Sequence, residues 1–129
     1  MSLTRVWWGL GVVIVLAALV VCLVPGHELP REFEMNDKVA HIAGHGLMAI
    51  YFAGLVARGR WWKIFVFLLL FGVCVEFAQY YMHVGRNGDP RDVLGNCLGA
   101  LVGLLLARLG LERWPLIMAG LLGQRRAAE

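Results

Sequence analysis

The sequence predicts an all-α integral membrane protein, with four transmembrane helices in an up-down bundle and a short C-terminal interfacial helix. Three observations carry this. The chain has 129 residues, 60% of them apolar and 16% charged, where soluble domains are about 45–50% apolar. The apolar residues fall in four long runs, each close to the roughly 20 residues a helix needs to cross hydrocarbon. The charges then sort by the ends of those runs. Arg5, Arg58, Arg60, Lys63, Arg108, Arg113, Arg125 and Arg126 share one set of ends with only Glu112 and Glu129 as acids. The other set holds Glu28, Glu32, Glu34, Asp37, Glu76, Asp89 and Asp92 with all four histidines. The five tryptophans lie near the basic set, as interfacial anchors do. The positive-inside rule makes the basic side cytoplasmic, which puts both termini there and the chain, as a multi-pass protein, in the cytoplasmic (inner) membrane.

The first span is read over Val6–Val24, uncharged and ended by Pro25-Gly26. It exceeds the 7–15 residues of a signal-peptide core and is expected to be retained. An acidic loop follows, with Asn36 or Asp37 as N-cap of the next helix. The second span runs over Lys38–Ala57, polar for two turns and apolar from Leu47. Arg58-Gly59-Arg60-Trp61-Trp62-Lys63 makes a basic aromatic turn. The third span covers Ile64–Met82 and stays apolar until Glu76 and Gln79. Gly85, Asn87, Gly88 and Pro90 mark a loop. Asp92 is the expected N-cap of a fourth span ending near Leu109. Trp114–Gly123 is too short to cross and reads as an interfacial helix.

The whole chain, 1–129, is expected to be one domain. Its net charge of +3 comes from short juxtamembrane clusters, so no nucleic-acid partner is implied. Cys22, Cys74 and Cys97 are odd in number and lie inside apolar runs, which implies no disulfide framework.

Helix geometry brings the polar residues to one depth. Asp37, His41 and His45 follow an i, i+4, i+8 stripe, about 0, 6 and 12 Å along the second helix. Glu76 lies about 8 Å from the end of the third, with Gln79 near its face. Asp92 and Asn96 are one turn apart on the fourth. A charge facing lipid costs about 2.5–3.5 kcal/mol on insertion scales, so these groups are expected to face one another in a pocket beneath the outer surface. Gly95, Gly99 and Gly103 form a small-residue stripe for close helix packing.

Asp37-Lys38-Val39-Ala40-His41, Glu76-Phe77-Ala78-Gln79, and Arg86 followed by Asp92-Val93-Leu94-Gly95-Asn96-Cys97-Leu98-Gly99 resemble the VanZ-like family over residues 36–105. The resemblance implies functional roles for Asp37, Lys38, His41, Glu76, Gln79, Arg86, Asp92 and Asn96, and a link to glycopeptide (teicoplanin-type) resistance. It does not extend to His45, His83 or Arg91.

The leading expectation is a pocket that binds or modifies a lipid or a lipid-linked envelope precursor. His41, Glu76 and Asp92 are the catalytic candidates, and Asp37, Lys38, Gln79, Arg86 and Asn96 the ligand-binding ones. A membrane-embedded hydrolase or transferase using Glu76 and His41 for acid-base chemistry is the alternative. A small dimeric transporter comes third, since the polar set is one-sided while alternating access works around a midplane site. Assembly as a homo-oligomer is left open. A metal on His41, His45 and Glu76 is chemically conceivable, but His45 lies outside the family pattern, so no metal and no cofactor are expected.

Overall fold

The computed structural model describes residues 3–25, 28, 37–82 and 89–126, and excludes the side chains of Asp37 and of 124–126. Among the described residues five α-helices follow in order: α1 (Leu3–Leu23), α2 (Asp37–Ala53), α3 (Trp61–Met82), α4 (Pro90–Arg108) and α5 (Trp114–Arg126). Short 3-10 turns at Arg58–Arg60 and Leu111–Arg113 lead into α3 and α5. No strand occurs among the described residues. Among the described residues three helical segments are long and apolar enough to cross a membrane: Leu3–Leu23, Arg58–Met82 and Pro90–Arg108. The chain is a multi-pass membrane protein.

The most extensive helix contact joins α2 to α4, and glycine makes it possible. A β-carbon on Gly99 would overlap the Ile42 carbonyl oxygen. One on Gly103 would overlap the Gly46 carbonyl oxygen and lie 2.8 Å from Ala49 Cβ. Gly95 is looser, since its β-carbon would make an ordinary 3.5 Å contact with Ile42. Ala49, Ala53, Ala100 and Ala107 continue the small-residue seam, with Met48, Phe52, Ile64 and Leu68 filling the core beside it. In lipid, where tails are as apolar as leucine, such backbone proximity is what drives association. Large side chains such as Val13, Val20, Leu70, Leu94 and Leu105 instead point outward, an apolar exposure that suits hydrocarbon and not water.

Two of the helix boundaries that differ from the sequence expectation bear on the site and its packing. The second helix ends at Ala53, four residues before the expected Ala57. The Trp114 indole lies where a Gly54 side chain would be, and its Nε1 donates to the Tyr51 carbonyl at 3.1 Å. A tertiary contact thus satisfies a helix-end carbonyl and turns the chain away. At 17 residues, α2 falls outside the long apolar set. The fourth helix begins at Pro90, with Asp89 and not Asp92 as its N-cap; Asp89 Oδ1 accepts from Arg91 N at 2.9 Å. Proline with its fixed φ is pre-organised for the first helical position. Asp92 consequently lies inside the first turn, where it is buried.

Candidate functional site

Six polar side chains are buried among the described residues: His41, His45, Glu76, Gln79, Asp92 and Asn96. They come in pairs from α2, α3 and α4, each pair separated by about one turn of helix. In hydrocarbon or protein interior such groups must find one another. Four of them do.

His41 Nδ1 donates to Asn96 Oδ1 at 3.1 Å. That bond joins α2 to α4 and fixes the orientation of the ring. Glu76 Oε2 accepts from the backbone N–H of Asp89 at 3.1 Å. The carboxylate therefore sits at the N-terminal end of α4, where the helix dipole favours negative charge. One ring nitrogen of His41 and one oxygen each of Glu76 and Asp92 lie within 4.8 Å of one another. The three residues put forward from sequence as catalytic candidates are thus neighbours.

The other two buried groups point elsewhere. His45 Nδ1 donates to the His41 carbonyl of its own helix at 3.1 Å, and its ring lies 5.9 Å from that of Phe71. Gln79 Nε2 donates to the Cys22 carbonyl at 2.8 Å, which ties α3 to the end of α1. Lys38 is exposed at the rim, its Nζ 3.9 Å from Asp89 Oδ2. An exposed pair of that length contributes little to stability, and the ammonium is open to an incoming group. The Asp37 side chain and Arg86 lie outside the described residues.

Two contributors carry no label in the sequence reading. Gly72, one turn before Glu76, makes room for Asn96: a β-carbon there would stand 2.7 Å from Asn96 Nδ2. Asp89 caps α4 and bonds Glu76 through its amide. The Asp89-Pro90 dipeptide could have signalled the cap; nothing in a linear sequence signals what Gly72 faces.

A groove of about 360 Å³ runs along the outside of α3 and α4, lined by Val73, Phe77, Tyr80, Tyr81, Pro90 and Val93, with Glu76 on its wall. The polar cluster therefore borders an apolar channel. A larger groove, about 470 Å³, lies between α1 and α3 around Trp8, Leu16, Phe52 and Phe67. It holds no acid or imidazole and is remote from this chemistry.

The cluster offers two carboxylates and an oriented imidazole, which are groups for acid-base work or ligand binding. It offers no thiol as nucleophile. Cys74 is exposed, and Cys22 and Cys97 are half-buried among apolar residues.

No curated protein and no solved structure matches the chain. The sequence pattern of one family, VanZ/LLP1, matches residues 6–111. That match extends beyond the motif region on both sides and takes in α1 through α4 with the turn after them. A chain matched over that much of its length, with His41, Glu76, Asp92 and Asn96 brought together from three helices, belongs to the VanZ/LLP1 family.

Proposed function

We propose that the polar cluster binds the head group of a lipid or a lipid-linked cell-envelope component, and that Glu76 and His41 perform acid-base chemistry on it. In this reading α1 to α4 all cross the cytoplasmic membrane, α5 lies in the interface, both termini are cytoplasmic, and the cluster opens beneath the outer surface. The observation that carries it is the pairing of two environments. Glu76 belongs both to the buried His41–Asp92 group and to the wall of an apolar groove on the outside of the helices. A molecule with a polar head and a hydrocarbon tail matches both at once. Lys38 at the rim suits an anionic head. The family's link to teicoplanin resistance is consistent with an envelope component as partner.

The test is Glu76→Gln. The amide keeps the size and much of the hydrogen bonding but neither ionises nor shuttles a proton. We expect an unchanged thermal midpoint in detergent and loss of complementation of a deletion strain's envelope phenotype. Mass spectrometry of lipid extracted with the wild-type protein should show one enriched lipid class. Full activity of Glu76→Gln would remove the acid-base part, and a lipid profile equal to that of the bulk membrane would remove the binding part.

A further inference from the structure

We propose that His41, Glu76 and Asp92 form a binding site for a divalent metal ion, of the zinc or manganese type. The donor set weighed from sequence, His41 with His45 and Glu76, is not the one that assembles. His45 turns to its own helix, and Asp92 takes its place beside His41 and Glu76.

The donors argue for the ion. One imidazole and two carboxylates are ligands that zinc accepts and that manganese also favours. Two carboxylates match the charge of a divalent ion, a balance that matters most in a low-dielectric interior. All three residues are buried, at 6–7% exposure, and each stands on a different helix. Three protein ligands with one open position is the pattern of a catalytic metal site. Donors about 2.1 Å from a metal stand at most about 4.2 Å apart. Side chains whose donor atoms already lie within 4.8 Å reach that spacing by small rotations.

Asn96 supplies a separate observation. Metal-bound histidines usually give their other ring N–H to a fixed acceptor, which sets tautomer and ring orientation. His41 does this through Nδ1 to Asn96 Oδ1. Asn96 is 1% exposed, and its Nδ2 has no hydrogen-bond acceptor among the described residues. The amide nitrogen packs against Gly72 of α3, which fixes the carboxamide and with it the His41 ring. Such an ion would also provide an activated water where the cluster has no thiol of its own.

The site is testable without any activity, so its failure and that of the lipid reading are separable. Full-length protein purified in detergent without chelator is analysed for zinc and manganese by plasma mass spectrometry. Stripped protein is then titrated with each ion and with cobalt, whose visible spectrum reports donors directly. We expect near-stoichiometric metal in wild type and in His45→Ala. Loss is expected in His41→Ala, Glu76→Gln and Asp92→Asn, each checked for an unchanged elution profile; His41→Gln replaces His41→Ala should the latter aggregate. Asn96→Ala should weaken affinity about 10–100-fold, as outer-shell changes do. Wild-type protein that is metal-free and takes up none of the three ions overturns the proposal. So does metal retained by both His41→Ala and Asp92→Asn.

Discussion

Tyr51, Trp61 and Trp114 gather near the basic turns, and their polar atoms donate to main-chain carbonyls: Tyr51 to Trp7, Trp61 to Val56 and Trp114 to Tyr51. His41, Glu76, Asp92 and Asn96 gather near the other ends of the helices and include a side chain-to-side chain bond between two helices. Both regions combine polar and apolar groups at the end of an apolar bundle. The difference lies in the acceptor. A main-chain carbonyl has two lone pairs and is present at every residue, so the aromatic end can be built from stacking and single bonds, with Tyr51 and Trp114 stacked at 4.8 Å and Trp7 edge-on to Trp114. A meeting of side chains needs three helices in one register, and any one of them can spoil it. The aromatic end is therefore tied through main-chain bonds, and the acidic end through side chains that must share one register.

The largest effect should come from the seam that serves both ends. Gly99→Leu would drive a side chain into the Ile42 backbone and should cost about 3 kcal/mol or more, the upper range for overpacking. Gly120, with nothing near its missing β-carbon, is the matching control. Gly110 is unsuitable for that purpose, because its φ of 128° would itself strain a leucine. Equal melting of Gly99→Leu and Gly120→Leu in detergent would show that the two ends are not joined through α2 and α4.

Next, the two histidines should separate. His41→Ala should abolish complementation, since it removes both the Asn96 bond and a member of the cluster. His45→Ala should be tolerated with modest loss, because its Nδ1 bonds the His41 carbonyl of its own helix and the ring stands outside the cluster. Two equally severe variants would mean that the acidic end extends a turn deeper than the geometry places it.

Tyr51→Phe sharpens the comparison from the other side. It removes one hydrogen bond to Trp7 and should lower stability by about 1 kcal/mol while complementation stays intact. A functional defect without destabilisation would give the aromatic end more than an anchoring role.

The smallest effect belongs to the ion pair of Arg58 and Glu112. The hydrogen bond from Arg58 holds the Glu112 carboxyl below its ordinary value. A depressed carboxylate contributes stability above its unfolded pKa, and that contribution is lost as pH falls through the folded value. Melting curves should therefore show a slight acid-side decline that Glu112→Gln flattens. The exposure of Arg58 keeps the effect small and salt-sensitive.

The helices were legible because a run of about 20 uncharged residues has few alternatives. The common level of His41, Glu76, Asp92 and Asn96 along the helices was legible because helix rise is fixed. Direction was less so. Gln79 is three residues from Glu76, a rotation of about 60° from its face, and that angle is enough to send its amide to Cys22 on α1. The end of α2 depends on Trp114, about sixty positions away, and no local signal carries that. The start of α4 was legible in principle, since aspartate before proline is a cap, but Asp92 three residues after Asp89 offered a competing one.

The hydrogen bond between His41 and Asn96 spans 55 positions of sequence, which has a consequence for biogenesis. At about 5–20 residues per second of synthesis, the ribosome needs roughly 3–11 s to deliver Asn96 after His41. Asp92 and the glycines of α4 are also late. During that interval α2, the short helix with two buried imidazoles, has α1 beside it but not the surface it is shaped to meet. Its final placement waits for α4, so the acidic centre is completed among the last steps of assembly. A nascent chain truncated before Asp92 lacks one of the three residues of that centre.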